Sequence, residues 1–129
     1  MRDKWDLMWG LQAVQQLNFG LSPASMEPMV RDRVAKDLAL GLYEEAAELA
    51  RVGTRFKQHI LNQTPVDRLD VLAETVDVLK YVIAIAQLHG LSAQDVYEAF
   101  EQKSEVVEHK AAGEQLRLDS EEDVIVVDM

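Results

Sequence analysis

Cysteine is absent from all 129 residues of the chain. This absence excludes a disulfide framework, a zinc or iron-sulfur site with cysteine ligands, and a thiol nucleophile. Any chemistry must therefore come from carboxylates, hydroxyls, histidine, lysine or arginine. The balance of 48% hydrophobic and 28% charged residues is that of an ordinary globular domain, so the chain can bury a core.

Basic residues are scarce, with 13 Lys and Arg against 23 Asp and Glu and a net charge of -10. A nucleic-acid-binding surface needs clustered Lys or Arg, so we expect no nucleic-acid partner. A small polyanionic substrate remains compatible with this charge. It requires divalent cations and a few well-placed basic side chains to offset the repulsion.

Long apolar runs are also missing. The longest, residues 82–86, is far shorter than the roughly 20 residues that cross a bilayer. The N-terminal segment mixes charges with Trp5 and Trp9 and contains neither the apolar core nor the cleavage site of a signal peptide. We therefore expect no membrane partner and a cytoplasmic location.

Apolar residues recur at helical spacing in four segments, which predicts helices at about residues 4–17, 29–52, 66–88 and 93–112. Gly53 and Gly90 are predicted to end the second and third helices, and Ser92 with Asp95 is a capping box for the fourth. The third helix is the most apolar and is expected in the middle. Short connections predict that sequential helices lie antiparallel, so the fold class is all-α, a four-helix bundle.

The C-terminal residues differ in composition from the helical domain predicted at 1–112. Residues 113–123 are polar and acidic and predict a linker. Residues 124–129 contain a β-branched run, which predicts a short C-terminal β-strand or extended tail. The run resembles the first strand of a haloacid-dehalogenase-like domain, in which case a second domain starts there. Otherwise the strand is free to pair with a symmetry mate.

Four acidic side chains have the spacing of a metal site: Glu45 and Glu48 on the second helix, and Glu74 and Asp77 on the third. Residues three apart on a helix are about 4.5 Å apart along the axis and point in similar directions, so each pair can reach one ion. The spacing alone is weak, because a solvated helix face also explains it. The same spacing recurs in two pairs for which we expect that simpler reading, Glu98/Glu101 and Glu105/Glu108.

The setting of Glu74 and Asp77 favours a metal. Both lie at the start of the apolar third helix, beside Leu72 and Val76, where an uncompensated carboxylate is costly. Oxygen-only ligands suit Mg²⁺ or Mn²⁺ rather than zinc, and neither pair contains the Glu-x-x-His motif of di-iron bundles. The sequence thus predicts a Mg²⁺ site at these acids, in which Mn²⁺ can substitute.

Two motifs together resemble a known family. Glu44-Glu45-Ala46-Ala47-Glu48 and Glu74-Thr75-Val76-Asp77 are similar to the EExxE...ExxD signature of the all-alpha nucleotide pyrophosphohydrolases, which include MazG proteins and dimeric dUTPases. The segments 77–81 and 88–92 look like the metal helix of that family and the turn that follows it. The likeness covers roughly residues 11–110.

The resemblance implies Mg²⁺-dependent hydrolysis of a nucleoside triphosphate to the monophosphate and pyrophosphate, in a MazG-like homodimer or homotetramer. Glu48, with Glu45, is our candidate for activating the attacking water. The resemblance assigns phosphate contacts to Lys103, with Lys57 and Lys110 as further candidates. Val107 departs from the family, which often has Asn there. The implied base-binding residues, by similarity to dimeric dUTPases, are Gln12, Gln15 and Asn18.

Two alternatives stay open at this stage. The substrate is either a broad range of nucleotides, as in MazG proteins, or dUTP or dCTP, as in dimeric dUTPases. A reading from another class is a non-catalytic helical interaction module in which the acids only solubilise the helices. Pyrophosphate release from a panel of nucleotides, with and without Mg²⁺, separates these readings.

Overall fold

A computed structural model describes residues 3–20, 26–54 and 66–111. Within these residues the chain forms four α-helices and no β-strand, so the predicted all-α class with four helices is confirmed. The helices are α1 (Lys4–Asn18), α2 (Pro28–Thr54), α3 (Arg68–Leu88) and α4 (Ala93–Ala111). The predicted linker at 113–123, the predicted strand at 124–129 and Lys57 lie outside the described residues.

Side-chain caps begin three of the helices. Asp3 accepts a hydrogen bond from the Asp6 N–H at 2.9 Å at the start of α1, and Asp67 caps α3 in the same manner. At α4 the predicted capping box is confirmed, because the Ser92 hydroxyl accepts from the Asp95 N–H at 3.0 Å and the Asp95 carboxylate accepts from the Ser92 N–H at 2.9 Å. Such caps satisfy backbone donors that a helix start leaves unpaired.

Glycine permits the backbone reversals after α1 and α3. Gly20 and Gly90 have φ of +75° and +77°, in the left-handed region that disfavours other residues. Gly90 thus ends α3 as predicted. Gly53, in contrast, lies inside α2, which continues to Thr54. A helix tolerates glycine near its end at a modest cost in free energy, so its presence did not mark the terminus.

The chain divides into two compact units, residues 1–90 and 91–129. In the first unit α3 is central, because it packs against both α2 and α1 and carries the buried residues Ile83, Ala84 and Leu88. The prediction that the most apolar helix lies in the middle is confirmed for this unit. In the second unit the described element is α4. None of the helices in the described ranges combines the length and hydropathy of a membrane-crossing segment.

Both neighbours of α3 run against its direction. Along α1 and α3, Trp9 accepts from Gln87 while Gln15 accepts from Lys80, so positions rise on one helix as they fall on the other. On α2, Gly41 lies at Tyr81, whereas Glu45, one turn later, meets Asp77 and Glu74, which come earlier on α3. Hence α1 and α2 run in the same direction, and the prediction that they lie antiparallel as sequential helices was wrong. Both α1 and α2 pack against the apolar α3, and this packing determines their direction.

Helices α2 and α3 lie close together at Gly41. A Cβ at this position would lie 2.6 Å from Cζ and 2.7 Å from the hydroxyl oxygen of Tyr81, which is far inside van der Waals contact. The ring of Tyr81 therefore occupies the space that any other residue's side chain would need. This contact sets the separation of the two helices next to their acidic residues.

Candidate metal centre

Three carboxylates from two helices meet in the first unit. One oxygen each of Glu45 on α2 and Glu74 and Asp77 on α3 all lie within 4.8 Å of one another. Glu74 and Asp77 are one turn apart on α3, and Glu45 follows Gly41 by one turn on α2. The close contact at Gly41 and Tyr81 thus holds the two helices near enough for the acids to converge.

Electrostatic strain is concentrated on Glu45. Its pKa is raised above the ordinary value of 4.5, first by partial burial, then by the negative charge of Asp77 and of Glu74, by a hydrogen bond to Glu74, and by the charge of Glu48. Negative charges this close together repel one another, and a bound cation would offset that repulsion.

Glu74 contributes an oxygen that lacks any partner. Its Oε2 is buried, and no hydrogen-bond donor among the described residues reaches it. A buried acceptor without a partner is costly, and a cation satisfies it as well as a donor does. The donor set consists of carboxylate oxygens, which suits Mg²⁺ or Mn²⁺ and does not suit a metal that prefers nitrogen or sulfur. The three residues therefore fit a hard divalent cation.

Glu48 is placed differently from the other predicted ligands. Its Oε1 lies 2.6 Å from Nη1 of Arg51, one turn along α2, and both side chains are about half exposed, at 47% and 44%. It is not one of the three converging residues, although its charge acts on Glu45. Exposed ion pairs of this kind are weak, so Glu48 is held only loosely by Arg51.

The surroundings of Glu74 and Asp77 are more open than the sequence indicated. Asp77 is exposed, and so are Leu72 and Val76, which were expected to bury it. The prediction of an apolar, buried setting was wrong, because the buried part of α3 begins only at Ile83, two turns later. Asp77 instead lies where a ligand dissolved in water can reach it, while Glu45 and Glu74 are half-buried beside it.

A cleft of about 250 Å³, lined by both polar and apolar side chains, lies beside the acids in the same unit, where α1 and α2 flank α3. It is lined by Gln12, Gln15, Gln16, Phe19, Leu38, Lys80, Tyr81 and Ala84. Lys80 and Tyr81 follow Asp77 by three and four residues, so the cleft begins about one helical turn, roughly 5 Å, from the acids along α3.

Two of the three predicted base-binding residues lie in this cleft. Gln12 is only 6% exposed, and Gln15 accepts a hydrogen bond from the Lys80 ammonium group. Asn18 is exposed and is not among the lining residues. Sequence reasoning missed Lys80 and Tyr81. The one available signal was that Lys80 interrupts an otherwise apolar segment of α3.

The chain matches no protein-family model, no curated protein and no solved structure. The resemblance to the all-alpha nucleotide pyrophosphohydrolases therefore rests on the motif residues themselves.

The candidate phosphate-binding lysines belong to other parts of the chain. Lys103 lies on α4 beside a shallow apolar depression formed by Phe100, Ser104, Val107 and Glu108, and Lys110 is exposed near the end of the same helix. Both residues are in the second unit, so their assignment to the triphosphate stays a prediction.

Proposed function

We propose that this chain is a Mg²⁺-dependent nucleoside triphosphate pyrophosphohydrolase that releases a nucleoside monophosphate and pyrophosphate. The observation that carries the proposal is the convergence of carboxylate oxygens from Glu45, Glu74 and Asp77 within 4.8 Å. The resemblance of their motifs to the all-alpha nucleotide pyrophosphohydrolases is the basis for proposing cleavage at the alpha phosphorus. Such an activity implies housekeeping of the cytoplasmic nucleotide pool.

Bound Mg²⁺ would supply charge neutralisation on the phosphate oxygens and would lower the pKa of a coordinated water. The carboxylates of Glu45, Glu74 and Asp77 would hold it. Glu48, released from Arg51, would accept the proton of the attacking water as the water oxygen bonds to the alpha phosphorus. The bond from that phosphorus to the bridging oxygen then breaks, and pyrophosphate leaves. Lys103 is proposed to neutralise the leaving phosphates, with Lys57 and Lys110 as further candidates.

The neighbouring cleft supports a nucleotide rather than pyrophosphate alone as the substrate. Its amides, Gln12 and Gln15, offer the hydrogen bonds that the edge of a base requires, and Phe19 and Tyr81 offer aromatic surface to the ring. The start of the cleft lies about one helical turn from Asp77, so base and phosphates can be bound side by side along α3. A preference for dUTP or dCTP would be decided in this cleft.

A homodimer or homotetramer is part of the proposal. Helix α1 exposes a stripe of large apolar side chains at helical spacing, with Leu11 72% and Leu17 60% exposed. Contiguous apolar surface of this kind is typical of an interface. In the resembling superfamily the active site is completed by a partner subunit, which would also supply the surface that covers this stripe.

The test is pyrophosphate release from the natural ribonucleoside and deoxynucleoside triphosphates, measured with Mg²⁺ and with EDTA. We expect release with Mg²⁺ only, and loss of it in Asp77→Asn and in Glu48→Gln. Glu105→Gln on α4 is the matched control, because it makes the same change at an exposed acid of the second unit and should leave the rate unchanged. Wild-type rates in both site variants, with the fold intact, would remove the proposal.

The exposed apolar side chains of α4, Phe100 at 70% and Val107, favour a second candidate, a non-catalytic helical interaction module. The same assay separates the two. A chain that releases no pyrophosphate from any triphosphate, yet loses a binding partner when Phe100 is replaced by Ser, is such a module.

A further inference from the structure

The cleft between α1 and α3 contains two side-chain hydrogen bonds that have no part in the proposed hydrolysis step. Lys80 donates a hydrogen bond to Oε1 of Gln15, a contact between residues 65 apart in the chain. Gln12, on the same face of α1 and a little under one turn earlier, donates from Nε2 to Oε1 of Gln16 at 2.9 Å. Both amides line the cleft, but their orientations are determined in different ways.

Lys80 can hold the Gln15 amide in one orientation only. An ammonium group has three donors and no acceptor, so the amide atom that faces it must be the carbonyl oxygen. The NH₂ group of Gln15 is then left to donate elsewhere. The pair formed by Gln12 and Gln16 has no such constraint, because two amides can exchange donor and acceptor and still form one hydrogen bond.

Gln12 provides the second half of the recognition surface. It is more than nine-tenths buried, and its Oε1 finds no hydrogen-bond partner among the described residues. A buried amide oxygen left unpaired favours any ligand that brings a donor to it. The cleft therefore offers a fixed donor from Gln15 and, in the orientation that the structure shows, an acceptor from Gln12, with the rings of Phe19 and Tyr81 nearby.

We propose that Lys80 is a positioning residue that determines which edge of a planar, uncharged heterocycle this cleft accepts, by fixing the orientation of the Gln15 amide. The identification of that heterocycle as a nucleobase rests on the proposed function. Bases fall into two classes at this edge. Uracil and guanine present a carbonyl acceptor beside a ring N–H donor, whereas cytosine and adenine present an amino donor beside a ring nitrogen acceptor.

A fixed Gln15 amide pairs with only one of these two arrangements, since reversing it would turn its donor into an acceptor. Removing Lys80 frees the amide to rotate, so both classes then find a partner. The expected consequence is a loss of discrimination between the classes rather than a loss of binding to all bases.

The experiment is calorimetric binding of the four deoxynucleoside monophosphates with uracil, guanine, cytosine or adenine, in EDTA. Metal and hydrolysis are absent, so its outcome is separate from that of the pyrophosphate assay. We expect the wild type to favour one class by about tenfold, the effect of one well-formed hydrogen bond. Lys80→Met should bring the ratio close to one, and Lys80→Arg, which also only donates, should restore it.

Two further variants complete the test. Lys36→Met removes the same charge from an exposed position on α2 and should keep the wild-type ratio. Gln15→Glu keeps an acceptor for Lys80 but replaces the donor by a second acceptor, so it should weaken binding of the favoured class by about tenfold. The proposal is overturned if none of the four monophosphates binds, or if Lys80→Met binds with the wild-type ratio. Either result leaves the pyrophosphate assay to be judged by itself.

Discussion

Acidic pairs with the same three-residue spacing occur in both units, and among the residues that the structure describes the acids of α2 and α3 converge. On α2 and α3, Glu45, Glu74 and Asp77 bring their oxygens together across two helices. On α4, Glu98 accepts from Gln94 and Glu101 accepts from Tyr97, so these acids are satisfied by neighbours one turn away on their own helix. The same spacing along a helix thus occurs in both units, and the convergence on α2 and α3 comes from two helices that each contribute acids.

The largest difference between the two sets of acids is expected when the converging charges are removed. In the double variant Glu74→Gln/Asp77→Asn we expect Mn²⁺ binding to be lost in calorimetry and pyrophosphate release to fall by about 100-fold or more, since metal stabilisation of a transition state is worth several kcal/mol. The counterpart on α4, Glu105→Gln/Glu108→Gln, makes the same charge change. Equal effects of the two double variants would show that the convergence has no role.

The helix crossing itself is tested at Gly41. In Gly41→Ala the new Cβ overlaps the ring of Tyr81, so either the ring or the helices must move. We expect a cost of about 1–3 kcal/mol in the free energy of unfolding, with weaker Mn²⁺ binding. Urea unfolding and calorimetry measure the two effects. Gly53→Ala, in the same helix with open space around it, should be neutral or more stable by up to about 1 kcal/mol. A stable Gly41→Ala variant with full metal affinity would contradict the role given to this contact.

The pH dependence of stability should differ between the two sets of acids. Because the pKa of Glu45 is raised in the folded state above its ordinary value of 4.5, the folded state binds more protons than the unfolded state in the window just above pH 4.5. The contribution of Glu45 to the free energy of unfolding therefore falls as the pH rises from 4.5 through the raised pKa. Melting temperatures measured in EDTA across this window should decline more steeply for the wild type than for Glu45→Gln.

The matched control for this prediction is Glu105→Gln, which should keep the steep wild-type profile. Mn²⁺ at neutral pH should raise the melting temperature of the wild type, since a cation bound to the folded state stabilises it and offsets the repulsion among the acids. Parallel profiles for the wild type and Glu45→Gln would mean that the cluster is not strained in solution.

The smallest effect is expected at Arg51, which forms an ion pair with Glu48. An exposed pair of this kind is worth about 0.2–1 kcal/mol, so Arg51→Gln should tighten Mn²⁺ binding by no more than about fivefold. Calorimetry at low salt measures it, with Arg33→Gln on the exposed side of α2 as the control. Weaker binding in Arg51→Gln would instead place Arg51 among the groups that support the site.

The sequence predicted the features that depend on neighbours along the chain. The four helices, the Ser92 and Asp95 capping box and the turn at Gly90 all follow from local backbone chemistry. Of the four acids predicted to meet, Glu45, Glu74 and Asp77 converge, as their helical spacing predicted, whereas Glu48 is not among the converging residues.

What the sequence did not predict depends on distant contacts. The shared direction of α1 and α2 follows from both helices packing on α3, which no local pattern encodes. Arg51 competes for Glu48 through a rotamer choice that spacing leaves open. The contact of Lys80 with Gln15 joins two helices, and a single lysine in an apolar segment is equally compatible with a side chain that reaches solvent.

Helix α3 carries Glu74 and Asp77 at one level and Lys80, Tyr81 and Ala84 at the next, all on one rigid element. A helix advances about 1.5 Å per residue and turns about 100°, so the offset between acids and cleft is fixed in both length and angle. This offset selects ligands by length, because only a molecule whose ring and charged group are separated by a matching distance can contact the cleft and the acids at once. One residue inserted between Asp77 and Lys80 would rotate the two parts of α3 by about 100° against each other, so that either the acids would lose Glu45 or Lys80 would lose Gln15.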